Sequence, residues 1–138
     1  MDDYAVFAII EGLKGIPLLI EKSYFLEKKW KLPGGRKEAG EFQEETLMRE
    51  VFEEINLIVH EPDKEFFCKH IKNNSNSHNS HNFIVMVARY YNGEIVAKNE
   101  IKCVELFSKE EIRNMISNGN ILPSHAEALE KYLILYSQ

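Results

Sequence analysis

At Pro33-Gly34-Gly35 the chain changes its hydrophobic period, and that change restricts the folds open to it. Before it come short strand-like stretches: Tyr4 to Ile10, Ile16 to Glu21 after Gly15, and Trp30 to Leu32 leading into the proline. After it, Leu47, Met48, Val51, Phe52 and Ile55 fall on one arc at about 100° per residue, which predicts a helix from Phe42 to Ile55. Strand signals return at Lys64 to Ile71, at Asn82 to Tyr91 and at Lys102 to Phe107, with Phe83 to Ala88 the strongest apolar run. Ser108-Lys109-Glu110-Glu111 reads as a capping box opening a helix to about Ser117. Ser124-His125-Ala126-Glu127 repeats that signature for a last helix ending near Leu135. Strands interleaved with helices predict an α/β fold with a mixed sheet between helices. At 138 residues, with no repeat or linker, a single domain over residues 1–138 is expected.

Composition removes several function classes. The formal charge of −5 argues against a protein that lives on the nucleic-acid backbone, which needs clustered Lys and Arg. It leaves room for a phosphorylated small molecule, since a divalent cation can mediate that contact. No apolar run approaches the roughly 18–20 residues of a membrane span, so no membrane partner is expected. The acidic start Met1-Asp2-Asp3, where a secretory signal would be basic, gives the expectation of a cytoplasmic protein. Cys68 and Cys103 are too few for a disulfide framework or a metal knuckle, and their apolar neighbours suggest small core residues. The stretch Asn73 to Ser80 has no apolar residue and is expected to be a mobile loop. Within and beside it, His78 and His81 have a spacing that suits a metal, but without Cys or carboxylate company a solvated loop is the better reading. A homodimer suits a chain of this size, although no interface patch is legible.

The chemistry concentrates around the predicted helix. Glu50, Glu53 and Glu54 stand at i, i+3 and i+4, on one face and roughly opposite the apolar arc of Leu47, Val51 and Phe52. Like charges at that spacing repel, so they are either solvated or hold a cation. Mg²⁺ takes hard oxygen ligands and is usually shared between one or two carboxylates and substrate phosphates. A glutamate-rich face beside a glycine loop therefore suits a metal-dependent phosphate site, although most acidic helix faces are only solvated.

The full spacing decides between these. Gly35, five residues, Glu41, seven residues, Arg49-Glu50, Val51, one residue, Glu53-Glu54, one residue, Asn56 and Leu57 resembles the Nudix box, the signature of the Nudix hydrolase family. Trp30-Lys31-Leu32-Pro33-Gly34 and Glu38-Ala39-Gly40-Glu41 are similar to the family's lead-in and loop. The closing glycine is replaced by Asn56; asparagine is the next best residue for a left-handed helix end, so a small stability cost and an intact metal site are expected.

The resemblance implies a Nudix-type α/β/α sandwich that hydrolyses a nucleoside diphosphate linked to another group, with Mg²⁺ or Mn²⁺ required. It makes Glu50, Glu53 and Glu54 the metal ligands, helped by a backbone carbonyl near Gly34 or Gly35. It gives Arg49 the role of orienting a neighbouring glutamate. Glu41 either caps the helix or sits near the metals. Arg36 and Lys37 are the nearest cations that could touch phosphate, with solvated surface charge an equal reading. For the general base, Glu54 ranks first and Glu100 second, with Glu105 a further remote candidate.

The family's ADP-ribose cleavers tend to carry a proline about 15 residues past the box, where this chain reads Ile71-Lys72-Asn73. A tyrosine that tends to mark dinucleoside-polyphosphate cleavers is absent too. Elimination leaves the MutT-like group, acting on nucleoside or deoxynucleoside triphosphates, including oxidised ones, as the expected substrate class. The competing readings are an ADP-ribose or dinucleoside-polyphosphate enzyme, a Nudix fold that senses nucleotide without cleaving it, and an interaction domain with a merely solvated acidic helix. The aromatics Tyr4, Phe7, Phe83 and Tyr90 lie on expected strands, where an aromatic is more often core than a base platform.

Overall fold

The computed structural model describes residues 3–23, 28–60, 62, 65–72 and 80–136; the polar stretch 73–79, with His78, lies outside them. In chain order the elements are β1 (Tyr4–Glu11), β2 (Ile16–Glu21), β3 (Gly34–Arg36), α1 (Gln43–Ile55), β4 (Ile58–His60), β5 (Phe67–Ile71), β6 (His81–Asn92), β7 (Ile101–Phe107), α2 (Lys109–Ser117) and α3 (Pro123–Leu135). The main sheet runs β3-β1-β6-β4 with β5 also on β6, and β2 pairs β7 in a second sheet. Among the described strands only β1 and β6 run parallel, Tyr4 facing Asn82 through Glu11 facing Arg89; the other strand pairs are antiparallel. The sheet is therefore mixed, as expected.

Phe83 to Ala88 is continuously apolar because β6 is covered on both faces. Phe83, Val85 and Val87, with Ala5, Phe7 and Ile9 of β1, pack on Ile112 of α2 and on Ala128, Leu129 and Tyr132 of α3. The alternate residues Ile84, Met86 and Ala88, with Val6, Ala8 and Ile10, pack on Leu47, Val51 and Ile55 of α1. The two-residue strand period thus splits the apolar residues into two cores, and the sheet lies between α1 and the α2–α3 pair. No helix among the described residues is long and apolar enough to cross a membrane.

Several expectations are corrected. Trp30 to Leu32 is not a strand: Trp30 and Lys31 make single bridges to Ile121 and Leu19, and the strand starts after Pro33. Pro33 has no N–H for a ladder, yet its carbonyl accepts from Ala8, which delivers the chain to β1 in time for Gly34. Strand β4 is missed by the periodicity because three residues are too short to show one. Helix α3 begins one residue before the proposed Ser124 cap, with Pro123 in its first turn, Leu122 as N-cap and no side-chain cap. Proline supplies a helical φ and lacks an N–H that would need a partner there.

The apolar arc of α1 is narrower than expected: Met48 and Phe52 are substantially exposed, while Thr46 is buried. Tyr4 and Glu41 occupy the Thr46 hydroxyl, which makes a polar residue tolerable at that depth. Cys68 is exposed and Cys103 only half-buried, so neither is the small core residue expected. Alternation along β5 turns Cys68 away from the core that Phe67 joins.

Candidate active site

Helix α1 carries its glutamates to the glycine loop because Leu47, Val51 and Ile55 lock it against the sheet. Half of a capping box starts it: Glu45 Oε1 accepts from the Phe42 N–H at 2.8 Å. At its end Asn56 adopts φ 67°, ψ 24°, the left-handed conformation expected for it. Its amide also donates to Glu94 O at 2.9 Å, a tether that glycine would lack.

Gly34 and Gly35 are dictated by close approach. At Gly34, with φ +145°, a Cβ would lie 2.2 Å from Val6 O and 2.6 Å from Phe7 Cα. At Gly35 it would lie 2.6 Å from the carboxyl carbon of Glu50. The Gly34 N–H donates to Glu54 Oε1 at 2.9 Å, which fixes that side chain beneath the loop.

Arg49 is the hub of the acidic face. Its guanidinium donates to Glu41 Oε2 at 2.6 Å, Glu50 Oε2 at 3.0 Å, Glu53 Oε1 at 3.1 Å and the Arg36 carbonyl at 3.0 Å. Glu41 Oε1 also accepts from the Thr46 hydroxyl and the Glu38 N–H, both at 2.8 Å. Glu41 therefore neither caps the helix nor faces the cleft; it holds Arg49. The Arg49 hydrogen bond keeps the Glu41 carboxyl down at about 2, and Glu41 in turn raises Arg49 further above its usual range. Burial pushes Glu50 upward, an effect that Arg49 partly offsets. Glu54, to which Arg49 makes no bond, is pushed up to about 7, first by burial, against the opposing pull of Lys31 and the Gly34 N–H.

Glu50, Glu53 and Glu54 meet Glu21, Asn99, Glu100 and Ile101 in one cleft of about 160 Å³. The segment before β7 reaches it because Lys98 N–H donates to Glu54 O, Val96 N–H to Ile55 O, and the Asn99 amide to Glu53 O. Those bonds use the free carbonyls at the end of α1 and so bring Glu100 beside a helix far from it in sequence. Glu105 does not line the cleft; it is exposed on β7 opposite Leu18. Arg36 and Lys37 do not line it either: Arg36 reaches Asp3 and His81, and Lys37 lies over the Tyr4 ring. Glu21 is a member that sequence reasoning missed. It ends a strand otherwise unremarked, and only the β2–β7 pairing, shifted in register at Glu21, places it there.

The donors in this cleft are carboxylate and amide oxygens, the set that a hard divalent cation prefers. As the side chains stand, no three His, Cys, Asp or Glu among the described residues converge tightly enough to hold a metal. Arg49 occupies an oxygen of both Glu50 and Glu53, and Gly34 one of Glu54, which leaves each carboxylate a second oxygen. Donor chemistry and the missing Cβ at Gly35 fit such an ion.

Solved structures share the fold. A NUDIX hydrolase from Nitrosomonas europaea superimposes with a TM-score of 0.80 at 22% identity, covering 99% of this chain and 72% of that one. A MutT protein from Methanosarcina mazei Go1 gives 0.72 at 20% identity, with 98% and 95% covered. The E. coli dihydroneopterin triphosphate pyrophosphohydrolase gives 0.71 at 15% identity, with 95% and 94% covered. No curated protein sequence matches the chain. The family model of the NUDIX domain matches residues 1–132, and with its glycine loop, Arg49 and three helix glutamates in the geometry above, the chain belongs to the Nudix hydrolase family, enzymes that act on nucleotide-linked diphosphates.

Proposed function

We propose that this Nudix hydrolase is a pyrophosphohydrolase of nucleoside or deoxynucleoside triphosphates, oxidised forms included, that works with Mg²⁺ or Mn²⁺. The observation that carries the reading is the cleft in which Glu21, Glu50, Glu53, Glu54 and Glu100 converge, five carboxylates against the two cations Arg49 and Lys31 that bond to them. Such a concentration of carboxylates repels a diphosphate unless cations are bound with it. The E. coli structural neighbour, a dihydroneopterin triphosphate pyrophosphohydrolase, supports the triphosphate class.

Glu50, Glu53 and Glu54 would hold the ion, with the backbone at Gly35 adjoining Glu50. When bound, the ion offsets diphosphate charge and lowers the pKa of an attached water. Arg49 orients Glu50 and Glu53 while leaving each a free oxygen. Glu54 is the leading general base, because its half-buried carboxyl titrates near neutrality and its Oε1 is steadied by Gly34. Glu100, which lines the same cleft, is the second candidate.

A phosphate-release screen with Mg²⁺ or Mn²⁺ tests the reading. Its panel holds canonical and oxidised triphosphates, ADP-ribose, other nucleotide sugars and dinucleoside polyphosphates. Turnover of a triphosphate that disappears in Glu53→Gln is the expected result. Turnover confined to ADP-ribose or dinucleoside substrates would overturn the substrate class. Nucleotide binding without turnover anywhere on the panel would make the protein a sensor.

A further inference from the structure

Beside the carboxylate cleft lies a second pocket of about 390 Å³, and Glu21 belongs to the walls of both. That volume is at the lower end of the range for small-molecule sites. One wall is aromatic: Phe7 and Phe83 stack with ring centroids 5.0 Å apart, and the His125 ring sits edge-on to each, at 4.7 and 4.9 Å. The polar groups here are unusual for their depth. Lys31 is only 6% exposed, bonded to Glu21 Oε2 at 3.1 Å and poised 5.0 Å over the Phe7 ring. An ammonium has three N–H groups, and Glu21 takes one.

His125 is also 6% exposed. Its Nδ1 accepts from the Leu32 backbone N–H at 3.1 Å, so the proton of the neutral ring is on Nε2. No described residue accepts from that Nε2–H. Since no buried side-chain polar atom among the described residues lacks a partner, Nε2 reaches an accessible surface, and the pocket is the surface that His125 lines. The pocket thus offers an aromatic platform with two donors, Lys31 Nζ and His125 Nε2, at its edge.

We infer that this pocket takes the nucleobase of the substrate and selects keto bases over amino bases, with Lys31 and His125 donating to base acceptors. The inference rests on the reading of the neighbouring cleft as the diphosphate site. Guanine presents two adjacent acceptors, O6 and N7, where adenine presents N7 and an amino donor; uracil and thymine likewise present O4 where cytosine has an amino group. An amino group set against these donors leaves both sides unbonded in a desolvated site, which costs affinity. Glu21, beside Lys31, can accept from a ring N–H next to the carbonyl.

The test is equilibrium binding of nucleoside monophosphates to the wild-type protein with Mg²⁺ present, GMP against AMP and UMP against CMP. Binding tighter by about tenfold or more for the keto member of each pair is expected, as is collapse of that ratio in Lys31→Met. Equal or reversed affinities in the wild type, no saturable binding of any monophosphate, or an undiminished ratio in a folded Lys31→Met protein would overturn the inference. Because the wild-type ratio decides by itself, a variant that fails to fold does not block the test. Triphosphate turnover without keto preference removes this inference alone. Keto-selective binding without turnover removes the proposed function and leaves the pocket standing.

Discussion

The carboxylate of Glu50 occupies the space a side chain at Gly35 would need, the Cβ position being 2.6 Å from the Glu50 carboxyl carbon. The obstacle at Gly35 is the mobile end of a side chain; at Gly34 it is the backbone of β1. Gly35→Ala should therefore keep its thermal midpoint within a few degrees while losing about 10–100-fold in kcat, as Glu50 is turned aside. Gly34→Ala should lose stability outright, by about 1–3 kcal/mol or more from backbone strain alone. Thermal melts beside turnover numbers for the two variants check the contrast.

Arg49 spans acceptors on four residues, which a planar guanidinium can do and an ammonium cannot. Arg49→Lys keeps the charge and should still cost about tenfold or more in kcat. A double-mutant cycle with Glu41→Gln should show coupling of about 1 kcal/mol or more between the two positions. Additive losses would mean that Glu41 does not act through Arg49.

Glu41 titrates near 2 in the folded protein against 4.5 when unperturbed, chiefly through Arg49. The folded state therefore binds fewer protons, and the stabilisation is complete above pH 4.5 and lost as pH falls through 2. Acid unfolding followed by circular dichroism should show a shallower acid limb in Glu41→Gln than in the wild type, with the two curves separating above pH 4.5.

Burial, with Lys31 adding, holds His125 well below its usual 6.5, so the folded protein keeps the ring neutral. An unfolded His125 takes up a proton below pH 6.5, hence its contribution to stability is full above that pH and declines beneath it. Urea midpoints should rise between pH 5 and pH 7.5, and His125→Asn, which retains an acceptor for the Leu32 N–H, should flatten the rise.

The local parts of the site were legible in the sequence because they depend on short-range geometry. A helix places i, i+3 and i+4 on one face, so Glu50, Glu53 and Glu54 announce a common surface before any fold is known. Glycine and left-handed Asn56 mark backbone conformations that few residues adopt. The interleaving of strand-like runs with helical periods is what makes a mixed sheet between helices legible. Less is readable where a residue's neighbour is distant in the chain: periodicity puts Met48 and Phe52 on the apolar arc and apolar neighbours suggest buried Cys68 and Cys103, yet none of the four is buried.

What the tertiary structure alone decided follows from long-range contacts. Glu100 joins the carboxylates because the segment leading to it is tied to the end of α1 by Lys98 and Asn99, and Glu105, five residues further on in β7, stays outside. Arg36 and Lys37, the cations nearest the glycine loop in sequence, are turned to Asp3, His81 and Tyr4. Lys31, Glu21 and His125, ordinary residues in the sequence, meet around Phe7 only when β2, the loop before β3 and α3 pack together. Sequence period determines which face a side chain takes on its own element; which elements then share that face is settled by the packing of two cores on one sheet.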